Sequence, residues 1–190
     1  NHDPRPLAFL LSRYKFCAKM LEGKKRVLEV GCGDAFGTPV MCQTVEHVHG
    51  VDWEPLLMED NRKRLAGLNC TFSCLDITKD RPEGIFDAAF SLDVIEHIPA
   101  EQEHLYFESI ADSLEPQGVF IMGTPNVTAN EYASEGSKAG HINLKSHREM
   151  NTLMSKFFHN VFLFSMNDEV VHTGYGPMAH YLLGMGVGKK

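Results

Sequence analysis

Three glycines and an acidic residue follow a short apolar stretch in the segment VLEVGCGDAFG (27–37). A glycine-rich turn at the carboxyl end of a buried strand lets the backbone approach a ligand closely, because glycine carries no side chain. Gly31, Gly33 and Gly37 supply such a turn, and Glu29 lies two residues before it. The dinucleotide fingerprint is GxGxxG, whereas here the last glycine falls one residue late. The loop alone therefore predicts either a ligand-binding turn or a structural one.

Two more acidic residues end the next two predicted strands, Asp52 after VEHVHGV and Asp76 after NCTFSCL. A carboxylate about 20 residues beyond such a turn can accept hydrogen bonds from two ribose hydroxyls, and it repels a phosphate there. Asp76 is placed to meet an adenine edge, with Leu75 or Ile77 packing on the ring and Trp53 forming an aromatic wall. Each aspartate alone is also a common helix cap or turn residue. Together with the loop they predict an adenosine site with an unphosphorylated ribose.

A second group of titratable residues follows the fourth predicted strand, where DVIEHI places Asp93, Glu96 and His97 within five residues. A later polar segment adds His141. One interpretation is structural, with Glu96 supporting a first helical turn. A second makes His97 or His141 a general base near the group that reacts, since histidine titrates near neutral pH. A third makes these four side chains ligands of a divalent metal that lowers the pKa of an acceptor hydroxyl.

Alternating helical and strand patterns surround these residues. The segment 6–21 has apolar side chains at helical spacing, and five strand-like segments from VLEVG to GVFIMGTP are separated by helical patterns or short turns. Such alternation predicts right-handed crossovers and a parallel sheet covered on both faces. A helix at HREMNTLMSKFF and two further strands follow. The expected fold is α/β, a Rossmann-like, doubly wound sheet of about seven strands with an antiparallel C-terminal strand.

One polar segment interrupts this pattern. Residues 126–147 are rich in Gly, Ser and Asn and are too long for an ordinary connection, so they are either disordered or functional. We expect them to form a cap or lid over the strand ends, within a single domain spanning 1–190. The polar loop near the C-terminus carries His172, Tyr175 and His180, which either border an acceptor pocket or pack at the edge of the sheet.

Composition limits the remaining choices. A hydrophobic fraction of 43% with 23% charged residues is typical of a globular protein, and no apolar run reaches the ~18 residues that a membrane span needs. The net charge of −7 makes nucleic acid an unlikely partner. Five cysteines without CxxC spacing favour a reducing, cytoplasmic location. Because Asn1 replaces an initiator Met and no signal peptide is visible, we expect the chain to start within a longer gene product.

The segments VLEVGCGDAFG, VDW, CLDI, FDAAFSLDVIEHI and GVFIMGTPN, in this order, resemble the class I S-adenosylmethionine-dependent methyltransferases. The resemblance implies S-adenosylmethionine as cofactor and S-adenosylhomocysteine as product. By this resemblance Glu29 and the backbone of Gly31 and Gly33 hold the amino-acid end of the cofactor, Asp52 holds the ribose, Asp76 with Ile77 holds the adenine, and Ser91 and Leu92 line the sulfonium side. Cys32 and Trp53 are also expected among the cofactor-binding residues. Arg13, on the N-terminal helix, either pairs with the cofactor carboxylate or belongs to a solvated helix face.

Two branches of the family bear on the acceptor. Ubiquinone-biosynthesis O-methyltransferases, in the type 11/12 group, carry a similar Glu-His pair after the fourth strand. Small-RNA 3'-terminal 2'-O-methyltransferases use an E-x-x-E-H motif and a later histidine as a metal site, but here Asp93 replaces the first glutamate. The resemblance favours O-methylation of a small-molecule or sugar-containing metabolite, with His97 and His141 catalytic. The alternatives are a metal-assisted 2'-O-methyltransferase of RNA 3' ends and a non-catalytic cofactor-binding module, and the requirement for a metal stays open.

A short-chain dehydrogenase also has a parallel sheet with a glycine loop. Its Tyr-x-x-x-Lys pair is missing here, and the spacing of the loop is wrong for it. The sequence therefore disfavours an oxidoreductase.

Overall fold

The computed structural model describes residues 4–190, so residues 1–3 of the predicted domain lie outside the described part of the chain. Six α-helices are α1 Arg5–Met20, α2 Thr38–Met41, α3 Pro55–Arg64, α4 Glu103–Asp112, α5 Glu135–Gly140 and α6 His147–Phe157. Eight strands are β1 Arg26–Val30, β2 His47–Asp52, β3 Cys70–Cys74, β4 Phe86–Leu92, β5 Leu114–Pro125, β6 Phe158–Asn167, β7 Val170–His172 and β8 Tyr181–Lys189. These counts refer to residues 4–190.

The strands form one sheet in the order β3-β2-β1-β4-β5-β8-β6-β7. Neighbours from β3 to β5 are parallel, whereas β8 runs antiparallel to both β5 and β6. This confirms the predicted mostly parallel sheet with an antiparallel C-terminal strand. The order reverses between β1 and β4, and such a switch point opens a crevice beyond the carboxyl ends of the strands.

The extra strand relative to the predicted seven is β7, which pairs antiparallel with β6. A tight turn between them holds Asp168 at a positive φ of 51°, a conformation that aspartate tolerates better than most residues. The sequence analysis treated this segment as part of a polar loop. Three residues with little apolar periodicity give no strand signal, so only pairing with β6 defines them as a strand.

Helices cover both faces of the sheet. Tyr106 and Phe107 of α4 and Met154 of α6 are buried on one face, where Phe120 of β5 belongs to the same apolar cluster. On the opposite face the buried side of α1 packs in a second cluster that includes Phe90 of β4. Since both faces are covered, β4 is buried along almost its whole length, as its continuous apolar sequence predicted.

The polar segment that the sequence analysis marked as disordered or functional contains two short helices, Val127–Tyr132 and α5. Its far end is fixed to the loop after β4, because the backbone N–H groups of Ile142 and Asn143 both donate to the carbonyl oxygen of Glu96. The Asn143 side chain also donates to the carbonyl of Ile98 at 2.9 Å. The segment is thereby placed beside the carboxyl ends of β4 and β5.

Within residues 4–190, no helix combines the length and the apolar character that crossing a membrane requires.

Candidate functional site

The turn after β1 brings its backbone close to the loop after β4. Gly31 has a φ of +71°, and a Cβ atom there would lie 2.3 Å from Cγ2 of Val94. Its N–H donates to the carbonyl of Val51 at 2.8 Å, which ties the turn to β2. Both the left-handed backbone and the contact with Val94 therefore require glycine at position 31.

Asp52 at the end of β2 holds the other side of the turn. One carboxylate oxygen accepts the N–H of Gly33 at 2.9 Å, and the other accepts the N–H of Glu54 at 3.1 Å. These two bonds fix the direction of the carboxylate. Since each carboxylate oxygen can accept more than one hydrogen bond, both retain acceptor capacity for a ligand.

A cavity of about 620 Å³ opens between these turns and the loop after β4. Seven predicted site residues line it: Gly31, Gly33, Asp52, Trp53, Asp76, Ile77 and His97. Its wall also includes Leu75 and Val94, so polar groups alternate with apolar ones. Its volume lies within the ~300–1,000 Å³ range that small-molecule sites occupy.

Asp76 lies two residues beyond the end of β3, at the rim of this cavity. Hydrogen bonds from Lys79, at 2.7 Å, and from the Thr78 hydroxyl lower the pKa of its carboxyl. The carboxylate is thus ionised at neutral pH and presents acceptor oxygens next to the apolar side chain of Ile77.

Glu29 lies beneath the glycine turn rather than in the cavity. It is 2% exposed, and its two oxygens accept hydrogen bonds from the Tyr14 hydroxyl at 2.8 Å and the Thr38 hydroxyl at 2.7 Å. Burial raises the pKa of Glu29 to about 7, although both hydrogen bonds act in the opposite direction. The carboxyl group thus ties α1 and α2 to β1 behind the loop.

Arg13 forms an ion pair with a residue that lines the cavity, and its role toward a cofactor stays a prediction. Its guanidinium is 2.6 Å from the Asp93 carboxylate and stacks over the Tyr181 ring, 3.8 Å from the centroid. Asp93 has a φ of +58° and lines the cavity, so the ion pair borders the cavity from α1. In this arrangement Arg13 fixes the first residue of the DVIEHI loop.

Three further predicted cofactor residues do not line the cavity. The Ser91 hydroxyl donates to the carbonyl of Val30 at 3.0 Å inside the sheet. Leu92 is buried in the apolar cluster beneath α1. The Cys32 thiol packs 3.9 Å from the sulfur of Met58, under α3. Their roles toward a cofactor remain predictions, and their side chains have structural contacts.

Glu96, His97 and His141 come together beside the cavity, which of the three only His97 lines. One ligand atom of each lies within 4.8 Å of the others, and the two imidazole rings pack edge to face with centroids 5.2 Å apart. Nδ1 of His97 lies 2.9 Å from the carbonyl oxygen of Gly140. Because a carbonyl only accepts, Nδ1 carries the proton and the neutral ring has its lone pair on Nε2.

Glu96 is fully buried. One of its oxygens accepts the Thr124 hydroxyl at 3.0 Å, and the other, Oε1, has no hydrogen-bond partner among the described residues. Burial, and then the Asp93 carboxylate, raise the pKa of Glu96 to about 8. Partial burial and the neighbouring His97 lower the pKa of His141. The cluster thus combines an unsatisfied carboxyl oxygen with two imidazoles.

Comparison with known proteins agrees with this geometry. Residues 27–118 match the family described as a methyltransferase domain. Phosphoethanolamine N-methyltransferase 1 of Arabidopsis thaliana is 30% identical over 133 residues, which cover 64% of this chain and 27% of that protein. The ubiquinone biosynthesis O-methyltransferase of Alkalilimnicola ehrlichii is 28% identical over 135 residues, with coverages of 69% and 53%. The family match and these relatives support a class I S-adenosylmethionine-dependent methyltransferase.

Solved structures show the same fold. The methyltransferase domain of bacterial CtHen1-C aligns with a TM-score of 0.77 at 18% identity, over 94% of this chain and 98% of that one. The N-methyltransferase NodS of Bradyrhizobium japonicum, in complex with S-adenosylhomocysteine, aligns with a TM-score of 0.70 at 15% identity, over 99% and 89%. The cofactor of the family is S-adenosylmethionine. The chain spans only about a quarter to a half of the two curated relatives described above.

Sequence reasoning missed the partners that hold this methyltransferase site in place. Val94 belongs to the DVIEHI segment, but the sequence did not predict that it lies against Gly31. Tyr14 and Thr38, the partners of Glu29, come from two separate helices. The apolar spacing of α1 indicated a buried face, but not that its tyrosine reaches a carboxyl group under the glycine turn.

Proposed function

We propose that this methyltransferase transfers the methyl group of S-adenosylmethionine to a hydroxyl oxygen of a small-molecule or sugar-containing acceptor. The observation that carries the proposal is the Glu96–His97–His141 cluster, in which His97 lines the cavity. A hydroxyl must lose its proton as it attacks, whereas a neutral amine attacks with its own lone pair. The two imidazoles can accept that proton and therefore favour an oxygen acceptor, whereas Glu96, with its pKa raised to about 8, keeps its own proton at pH 7.

The cavity residues fit the cofactor, which supplies a methyl group already activated as a sulfonium. Asp52 is oriented to accept hydrogen bonds from the ribose hydroxyls, and Leu75 and Ile77 offer apolar surface for the adenine. The turn from Gly31 to Gly33 brings the protein backbone close to the amino-acid end of the cofactor. These residues bind the cofactor and align it with the acceptor. The walls of the cavity exclude water from the reacting atoms.

The two histidines are the groups that remove the proton from the acceptor hydroxyl. Nε2 of His97 carries a free lone pair because Nδ1 donates to Gly140, and the lowered pKa of His141 keeps that ring neutral at pH 7. Either nitrogen can accept the proton of an acceptor hydroxyl placed between them and the cavity. We also propose that residues 126–147 act as a cap, since this segment carries His141 and contacts the loop of Glu96.

A second candidate is a metal-assisted 2'-O-methyltransferase of RNA 3' ends. The specific support is the unpartnered Oε1 of Glu96 beside two imidazoles, a donor set that suits borderline divalent cations. Glu96, His97 and His141 would hold the ion, which would lower the pKa of the acceptor hydroxyl. The likeness to the CtHen1-C domain is consistent with this candidate, but it rests on the fold alone.

Calorimetry tests cofactor binding. Asp52→Ala should reduce the affinity for S-adenosylmethionine at least tenfold, because it removes a charge-assisted acceptor of hydroxyl hydrogen bonds. Asp60→Ala, an exposed aspartate of α3, is the matched control and should leave the affinity unchanged. Equal affinities for the wild type and Asp52→Ala would contradict the ribose assignment.

Formation of S-adenosylhomocysteine with hydroxyl, amine and carboxylate acceptors tests the reaction. Hydroxyl compounds should be methylated, and His141→Ala should lower turnover about 100-fold, as loss of a general base typically does, without changing cofactor affinity. His104→Ala, an exposed histidine of α4, controls for loss of an imidazole. Transfer to amines alone would refute the proposal. Activity that EDTA abolishes and Mn²⁺ restores would favour the metal-assisted candidate, which requires a 2'-hydroxyl at the RNA end.

A further inference from the structure

Two smaller cavities lie outside the cofactor cavity, and one of them reaches the Glu96–His97–His141 cluster at His141. The first, about 350 Å³, begins at His141 and is also lined by Asn130 and Ser137. The second, about 310 Å³, continues toward Glu131 and Met178. Both are lined by Ala129, Tyr132 and His180, so they are neighbours, and we call the two together the outer groove. Its inner end is the imidazole of His141, next to that of His97.

The walls of the outer groove are held in place by buried hydrogen bonds. The side-chain amide of Asn126, which is 1% exposed, donates to the carbonyls of Gly176 and Ala179, both at 2.9 Å. The Thr128 hydroxyl donates to the carbonyl of Pro177, also at 2.9 Å. These bonds join the helix Val127–Tyr132 to the loop before β8. The groove is therefore formed before any acceptor binds, as is usual for small-molecule sites.

The chemistry of the groove selects against charged acceptors. Among the described residues, no lysine or arginine lines either cavity, and the lining carboxylate is Glu131. Lys138 pairs with Glu135 at 3.4 Å, and Lys145 pairs with Glu103 at 3.1 Å. A phosphate or carboxylate in the groove would thus meet a like charge without a cationic partner.

The same walls offer contacts for a neutral, hydroxyl-rich molecule. Asn130 is partly exposed and adds a polar side chain to the wall of the first cavity. Tyr132 exposes 81% of its surface, which leaves an aromatic ring free to pack against the apolar face of a sugar ring. Ser137 and His180 add further polar groups. Such a combination of one aromatic platform with a few polar atoms suits a carbohydrate.

We propose that the outer groove binds a neutral oligosaccharide portion of the acceptor, of at least two sugar rings, with one hydroxyl presented at His141. The size follows from the two adjoining cavities, each at the lower end of the range for a small-molecule site. The proposal rests on the proposed O-methyltransferase function, since it names the class of acceptor. It disfavours RNA, whose phosphates need cationic side chains.

The test measures binding and transfer separately. The binding probes are neutral disaccharides (maltose, cellobiose, lactose and chitobiose), with cellobiouronic acid and maltose 1-phosphate as anionic counterparts. Saturation-transfer NMR with the full chain and S-adenosylhomocysteine reports binding without turnover. Formation of S-adenosylhomocysteine from S-adenosylmethionine reports transfer. A failure of methyl transfer with retained disaccharide binding would count against the proposed reaction and not against the groove.

Tyr132→Ala should weaken binding of the neutral disaccharide about tenfold, whereas Tyr132→Phe should bind like the wild type because it keeps the ring. Tyr175→Ala is the matched control, since Tyr175 is 72% exposed but lines neither cavity. Absence of binding by all four neutral disaccharides at 10 mM would overturn the proposal. Tighter binding of the anionic probes, preferred methylation of an RNA end, or equal binding by Tyr132→Ala and Tyr175→Ala would overturn it as well.

Discussion

Replacing Glu29 by glutamine should change how the stability of the protein depends on pH. The carboxyl group of Glu29 is buried, and its pKa is about 7 in the folded protein against 4.5 when it is solvated. A pKa that is raised on folding stabilises the folded state below pH 4.5, and this contribution is lost as the pH rises through 7. With 1.36 kcal/mol per pKa unit, the loss amounts to about 2.5 kcal/mol between pH 5 and pH 8.

Glutamine does not titrate, so the difference in stability between the wild type and Glu29→Gln isolates this group. We expect the wild type to lose about 2.5 kcal/mol relative to the variant from pH 5 to pH 8. For a chain of this size that corresponds to roughly 5–10 °C in relative melting temperature. Urea unfolding at pH 5, 6, 7 and 8 measures the difference. Glu46→Gln, at an exposed glutamate, is the control.

Thr38→Val provides an internal check on the reasoning. The Thr38 hydroxyl bond lowers the pKa of Glu29, so its removal should move the pH-dependent loss of stability to higher pH. A difference between the wild type and Glu29→Gln that stays constant from pH 5 to pH 8 would refute the burial argument. It would show that Glu29 reaches water, or a ligand, in the native state.

Two other predictions concern packing around the site. Gly31→Ala should destabilise the protein by about 2–4 kcal/mol, from left-handed backbone strain and the clash with Val94, and it should weaken cofactor binding. Combining Gly31→Ala with Val94→Ala should recover part of the lost stability, as measured by thermal unfolding. A double variant no more stable than Gly31→Ala would exclude the steric explanation. Lys145→Met should cost about 3–5 kcal/mol in urea unfolding, because it leaves the largely buried Glu103 without its ion-pair partner. A loss below ~1 kcal/mol would show that this pair is solvated.

Local patterns in the sequence predicted the architecture and those site residues that follow the ends of strands. Parallel strands that are covered on both faces are continuously apolar, and ligand-binding turns follow their carboxyl ends, so the order of segments was enough to place Gly31, Asp52 and Asp76 at one edge. The three-residue strand β7 was not predicted, because its definition depends on its neighbour and not on its own side chains.

The sequence did not predict which way the side chains at the ends of strands and on helices point. The sequence left Arg13 either on a solvated helix face or beside the cofactor carboxylate, and the fold places it against Asp93 and Tyr181, 80 and 168 positions away along the chain. Glu29 likewise turns to two hydroxyls behind the loop. Arg13 and Glu29 are both ionisable groups that are largely buried. A buried ionisable group needs a polar partner, and the packing of the helices on the sheet decides which partner lies within reach.

The amino-acid sequence by itself therefore determined which residues can do chemistry and at which edge of the sheet they collect, since strand periodicity and glycine turns are local properties. Only the tertiary structure decided that Glu96, His97 and His141 come within 4.8 Å of one another. That meeting depends on how residues 126–147 fold back onto the loop after β4, through backbone hydrogen bonds between segments more than 40 residues apart.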